Sequence, residues 1–217
     1  HKDEPCDAVS DTSRTVLVYI VATNKLGGSG FDSADILEME QAIKAGDLAG
    51  GRWLVYRAAA DGSAPTLTEY TVDGNSILKT YEPGALSVTA ARMNEVFDDM
   101  KSMAPSDTYG LVLWSHASGW QQDGLADNFD KVRPLSYGSD FGKKMNVTTL
   151  ASVLEGRGFD YVYFDCCYMS TVEVAYELRH AVKYVVASPS ELPTPGTRYD
   201  LNMRHLVDGS ESALIKA

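Results

Sequence analysis

Two residues of this chain have the types and surroundings of a bond-breaking pair: His116, directly after Trp114-Ser115, and Cys167, two residues after Asp165 and just beyond the strand ending Phe164-Asp165. A free thiol at its ordinary pKa is only a few per cent thiolate at pH 7, so a cysteine nucleophile needs an imidazole or a helix N-terminus beside it. Both are in view. The histidine lies about 50 residues upstream of the cysteine, and the pattern predicts a helix opening near Ser170, just beyond Cys167. Such a pair carries out acyl transfer: the sulfur attacks a carbonyl carbon and the imidazole moves the proton to the leaving group. The adjacent Cys166 is expected to point the other way, because successive residues of a strand face opposite sides, and to be structural, as most buried thiols are.

For that pair to meet, two strands must end side by side. Thr15 to Ala22 is β-branched and aromatic with no alternation, the pattern of a central strand covered on both faces. A glycine-rich loop, Gly27-Gly28-Ser29-Gly30, leads to a helix expected from Ala34 to Ala45 with Ser33 as N-cap. Further strands are expected at Arg52 to Ala59, Tyr109 to Ser115, Asp160 to Asp165 and Lys183 to Ser188. A hairpin is expected around Asp73-Gly74-Asn75. Helices are expected at Val88 to Met103, Val147 to Glu155, Ser170 to Ala181 and Asn202 to Lys216, and His116 to Met145 reads as long and irregular. Strands alternating with helices imply an α/β fold, a mostly parallel sheet flanked by helices on both faces, with ligands beyond the carboxyl ends of its strands.

Composition narrows the function classes. The chain has 217 residues, 44% hydrophobic and 23% charged, which suits one large globular domain. Its longest apolar run, Val16 to Ala22, is far short of the roughly 20 residues a membrane helix needs. With 19 basic and 30 acidic residues the net charge is −11, a balance that repels phosphate backbones and disfavours nucleic-acid partners. Three cysteines cannot make a disulfide framework, and the adjacent pair suits no metal-ligand spacing. Residues 1–14 read as a polar extension, a mature end or stalk left after processing, with no signal peptide among them, and residues 15–217 as the catalytic domain.

The blocks around the pair resemble those of clostripain-like cysteine peptidases, whose fold is the caspase, legumain and gingipain type; the histidine-to-cysteine spacing is also that of caspases. The strand Tyr109 to Ser115 followed by His116, and Tyr161 to Phe164 followed by Asp165-Cys166-Cys167-Tyr168-Met169-Ser170, carry the likeness. Val16 to Leu26 is similar to the family's first strand and its Asn-x-Leu. Ala187 to Glu191, Pro195-Gly196 and Tyr199 are similar to its post-cysteine loop. The resemblance implies a caspase-like α/β/α sandwich, Cys167 as nucleophile and His116 as acid and base. It also implies an oxyanion hole from the backbone amides of Cys167, Ala117 and Ser118. Substrates would be peptides or proteins cleaved after Arg or Lys, with Asp165 at the mouth of the cleft, Glu191 and then Asp200 as the recognising carboxylates. Secretion or the cell envelope of a bacterium is the implied location. Family domains are commonly longer, so the C-terminal side is expected to be incomplete.

Departures from the family pattern set further expectations. Ala117 stands where glycine is usual; if the site needs positive φ, alanine strains it. Self-cleavage between the two catalytic blocks would fall at Lys131, Arg133, Lys143 or Lys144. No cofactor or metal is required for the chemistry; calcium near Asp123 to Asp130 has no diagnostic ligand spacing. Two rival readings remain: a catalytically silent module keeping the fold for binding, and a nucleotide-binding Rossmann-like domain built on Gly28-x-Gly30, which lacks the third glycine. Asp165 has a rival role as well, as cap of the helix that follows.

Overall fold

The computed structural model describes residues 13–119, 136–193 and 196–217. The chain runs β1 (Arg14–Val21), α1 (Lys25–Gly28), α2 (Phe31–Lys44), β2 (Arg52–Ala58), β3 (Thr66–Thr71), β4 (Gly74–Thr80), α3 (Ala90–Met103) and β5 (Thr108–Trp114). It continues β6 (Ala117–Gly119), β7 (Ser136–Asp140), β8 (Lys143–Asn146), α4 (Val147–Leu154), β9 (Phe159–Asp165), α5 (Val172–Leu178), β10 (Tyr184–Val186), α6 (Tyr199–Asp208) and α7 (Glu211–Leu214). The large sheet has the order β10-β9-β5-β1-β2-β3-β4, and β6, β7 and β8 form a small sheet of their own. From β10 to β2 neighbouring strands are parallel, while β3 and β4 add an antiparallel edge.

Every residue of β1 is buried, because its two faces serve two cores. Leu17, Tyr19 and Val21 enter one cluster with Leu111, Leu113, Val162 and Phe164; Val16, Val18 and Ile20 enter the other with Val112, Trp114, Tyr161 and Tyr163. That partition is the two-residue period of a strand made visible. The first core is closed by α3, through Met93, Val96 and Phe97, and by α4 and α5. The second is closed by α2, through Met39 and Ile43, and by Met203 and Leu206 of α6. Three layers result, helices over both faces of a mostly parallel sheet, as the alternating pattern predicts.

Several expected boundaries move for local reasons. Helix α2 begins at Phe31, with Gly30 at φ 78 as its cap residue, and the Ser33 hydroxyl accepts from the Arg57 guanidinium at 2.9 Å. The expected helix from Asn202 to Lys216 begins earlier, at Tyr199, and breaks at Gly209, whose φ of 60 is the left-handed stop that glycine permits. Residues 1–12 of the expected extension lie outside the described residues, but Arg14 belongs to β1, and its guanidinium pairs with Asp160 at 3.1 Å. The segment expected to be irregular contains the β7–β8 hairpin.

That hairpin turns through Phe141 and Gly142, at φ 47 and 78, between the paired residues Asp140 and Lys143. Two consecutive positive-φ residues are the pattern of a type I′ connection, which favours Asn-Gly. A phenylalanine in this region carries a cost of roughly 1 to 2 kcal/mol. Two bonds to one carboxylate fix the hairpin to the loop after β1 and to the segment before α3: the Thr23 hydroxyl donates to Asp140 at 2.5 Å, and the Ser87 amide donates to the other carboxylate oxygen. The Phe141 amide donates to the Thr23 carbonyl at 3.2 Å.

Candidate active site

Strands β5 and β9 lie side by side, with Trp114 opposite Asp165 in the register. Neighbouring strands are about 4.8 Å apart. His116 and Cys167 each follow two residues after that matched pair, so the two leave the sheet at the same level. Both line one cleft of about 700 Å³, together with Ala117, Asp165 and Glu191. The cleft opens where the chain order reverses: β1 is followed by β2 on one side of it, while β5 lies on the other. This is the crevice in which ligands of open α/β sheets bind. Thr23 to Leu26, after β1, form one wall, and Glu191 to Pro193, after β10, form the opposite one.

The loops at this rim are held by polar contacts. Ser115 donates its hydroxyl to the Val21 carbonyl at 3.0 Å and accepts the Ser139 amide at 3.1 Å, which fixes the residue before His116. Asn24 caps α1 by accepting the Leu26 amide and donates to the Val21 and Ser139 carbonyls at 2.9 and 2.8 Å. Gly27 admits no side chain: a Cβ there would meet the Ala22 carbonyl oxygen at 1.8 Å, so only glycine lets α1 fold back over the end of β1. On the cysteine side, Tyr168 stands at φ 60 and its amide donates to the Ser190 carbonyl at 3.1 Å, joining the loop after β9 to that after β10. Left-handed backbone at a non-glycine residue next to a reactive group is strain of the sort functional sites hold.

The two thiols are in different environments. Cys167 is half-buried in the cleft, whereas Cys166 is 3% exposed within the core cluster that includes Met169 and Val174. Burial pushes the pKa of the Cys166 thiol well above its ordinary value, with the neighbouring Asp165 and Cys167 adding to the effect. Helix α5 begins only at Val172, under a Thr171 cap, so Cys167 sits several residues short of a helix N-terminus rather than against one. That corrects the expectation of helix assistance. It also removes the rival capping role for Asp165, since Thr171 accepts the Val174 amide.

The three expected specificity carboxylates separate. Glu191 lines the cleft and is exposed. Asp165 lines it too, but at 5% exposure it belongs to the floor, not the mouth. It accepts the Tyr199 hydroxyl at 2.7 Å and the Thr197 amide at 3.2 Å. Burial raises its pKa from the ordinary carboxylate value, while the Tyr199 and Thr197 hydrogen bonds oppose the rise. Asp200 is not brought to the cleft; both its oxygens face the Arg198 guanidinium, at 2.8 and 2.6 Å. Thr197 and Tyr199 are the partners that spacing could not reveal, although the loop holding them is one of the blocks singled out above.

Ala117 lies in strand β6, paired with Tyr137 and outside the positive-φ residues, so alanine brings no left-handed strain there. Ser118 follows it within β6. Lys144 lines the cleft and Lys143 pairs with Asp140, whereas Lys131, Arg133 and Asp123 to Asp130 lie outside the described residues. Gly28 to Gly30 ends a single helical turn, and the first turn of α2 carries a buried Asp32 held by Arg57 at 2.7 Å. A phosphate at that helix start would face a carboxylate, which counts against the nucleotide reading. Among the described residues no helix is long and apolar enough to cross a membrane, and no three His, Cys, Asp or Glu residues converge as metal ligands.

Behind the cleft, Asp35 accepts the Trp114 indole N–H at 2.6 Å and is 1% exposed. Burial raises its pKa to about 7 against the opposing Trp114 bond, and Asp165, Glu38 and Asp32 add to the rise. A carboxyl whose folded value exceeds its unfolded one stabilises the fold at low pH and loses that stability as pH rises through about 7. Asp35→Asn, which still accepts from Trp114, is expected to flatten this slope. Thermal melts between pH 5 and 8 should find the variant gaining on the parent toward the alkaline end; parallel curves would refute it.

The family model described as the clostripain family, of C11 peptidases, matches residues 18–215. A secreted C11 cysteine protease from Bacteroides thetaiotaomicron, solved with an irreversible peptide inhibitor, is 34% identical, with a TM-score of 0.77 over 94% of this chain and 56% of that one. An inactive zymogen C11 protease from Parabacteroides distasonis is 31% identical, with a TM-score of 0.75 over 92% of this chain and 55% of that one. This chain therefore spans little more than half the length of these relatives. No curated protein matches it. The three layers are thus those of the caspase-like fold.

Proposed function

Because the chain belongs to the clostripain family, we propose that it hydrolyses peptide bonds through Cys167 and His116, on the carboxyl side of arginine or lysine. The observation that carries the reading is the shared register of β5 and β9, with Trp114 opposite Asp165, after which a half-buried thiol and an imidazole line the same cleft.

The chemistry runs in two halves. The Cys167 sulfur attacks the scissile carbonyl as its proton passes to His116. The carbonyl oxygen takes the negative charge and is met by backbone N–H groups of Cys167, Ala117 and Ser118, where losing one donor raises a barrier by about 3 kcal/mol. His116 gives its proton to the leaving amine, the C–N bond breaks, and a thioester remains on Cys167. Water then attacks the thioester with His116 as base, releasing the acid and the free thiol. The reading assigns no metal or cofactor to these steps.

Selection of a cationic side chain follows from Asp165 on the floor and Glu191 on the wall, in a molecule of net charge −11 that draws cations toward it. A cation entering beside Asp165 would favour its ionised form and so offset the effect of burial. Secretion is part of the same proposal, supported by the secreted relative from Bacteroides thetaiotaomicron.

The test is a thiol-directed irreversible peptide reagent carrying lysine at the position before the reactive group. Stoichiometric labelling is expected, lost in Cys167→Ala; absence of labelling in the folded parent would instead favour the silent binding module. Asp165→Asn should lower discrimination for lysine over its uncharged isostere norleucine about a hundredfold, read as a ratio of kcat/KM values. An unchanged ratio would move the recognising charge to Glu191.

A further inference from the structure

The β7–β8 turn keeps a phenylalanine where the backbone favours asparagine, and the fold makes no use of the ring. Phe141 has φ 47, is followed by Gly142 at φ 78, and is 67% exposed. The turn is not loose: the Phe141 amide donates to the Thr23 carbonyl at 3.2 Å, and Asn24 donates to the Ser139 carbonyl at 2.8 Å. These contacts fix the turn against the wall of the cleft formed after β1. Ser139 and Gly142, on either side of Asp140 and Phe141, line the cleft, as do Leu26 and Phe31. An unfavourable backbone conformation held by its surroundings, carrying an exposed ring beside a reactive cleft, points to a use for that ring outside the fold.

The sheet order says which part of a substrate would reach it. Strand β5 lies between β9 and β1, so His116 stands on the β1 side of Cys167. The group that protonates the leaving amine must sit over the leaving half of the substrate. That half therefore departs toward the loop after β1 and the β7–β8 turn, away from Asp165 and Glu191. We propose that Phe141 is a specificity-determining residue for the leaving side, its ring receiving an apolar side chain one or two residues beyond the scissile bond. The assignment rests on the Cys167–His116 reading above and adds a substrate class to it: a basic residue before the cut and an apolar one after it.

The test compares peptides that share lysine before the cut and carry leucine or alanine at the two positions after it, alongside a one-sided lysine substrate whose leaving group is an aminocoumarin. The parent should prefer leucine about tenfold in kcat/KM, as an apolar contact of this size gives. Phe141→Asn, which suits the turn and should melt no lower than the parent, should lose that preference, and Phe141→Tyr should keep it. A parent that does not distinguish leucine from alanine, or a Phe141→Asn variant that still does, overturns the proposal. Failure of the parent to cleave even the aminocoumarin substrate would overturn the hydrolase reading and this one together, whereas cleavage of it without leucine selection sinks only this one.

Discussion

Cys167→Ala is expected to lower peptide hydrolysis by about 10⁴-fold or more, while Cys166→Ala retains it within a few-fold. The two thiols are adjacent in sequence, so nothing but their surroundings can separate them. Alternation continued past the end of β9 sends Cys166 into the core cluster that includes Met169 and Val174, where it is 3% exposed and the pKa of its thiol is held well above the ordinary value by burial. A thiol that stays protonated in an apolar core is neither nucleophilic nor accessible. Cys167 faces the cleft with His116. Cys166→Ala should act on stability instead, by about 1 kcal/mol for the lost sulfur. Steady-state kinetics and melting curves on both variants check the contrast; a folded but inactive Cys166→Ala beside an active Cys167→Ala would reverse the assignment.

His116→Ala is expected to lower kcat on peptide amides by about 10² to 10⁴-fold, and by much less on an ester of the same acyl group. An amine leaves poorly unless it receives a proton as the C–N bond breaks, whereas an alkoxide or phenolate of low basicity can leave without one. The ratio of amide to ester turnover thus isolates the proton donated to the leaving group from any help given to the thiol. If the imidazole served only to ionise Cys167, both substrates would lose equally, and that outcome would sink the acid role. The geometry behind the prediction is also specific: His116 follows a residue, Ser115, pinned by the Val21 carbonyl and the Ser139 amide. The histidine is therefore carried on a fixed backbone.

The β7–β8 hairpin leaves little signal in the sequence between His116 and Met145 because its strands are short and its turn, Phe141-Gly142, carries only half of the Asn-Gly pattern. Its stability comes from elsewhere: Tyr137 buried in the main core, and Asp140 bonded to Thr23 and Ser87. Proximity to the post-cysteine loop makes Asp200 a candidate carboxylate, yet Arg198, two residues away, takes both its oxygens. Asp165 is marked by its place in the cysteine block, but its partners Thr197 and Tyr199 lie more than 30 residues on.

Local pattern alone determined the strand-helix alternation, the burial of β1 on both faces, and the opposite facing of Cys166 and Cys167, because each depends only on side-chain period and on the chemistry of near neighbours. The likeness of four ordered blocks to clostripain-like peptidases added the roles. What the tertiary structure alone decided was contact between distant segments: β9 beside β5 in a register that levels His116 with Cys167, Asp165 sunk beneath Tyr199, and a turn seated on Thr23. Those outcomes depend on which strand pairs with which and at what offset, a choice made by whole faces packing together rather than by any stretch of sequence read on its own.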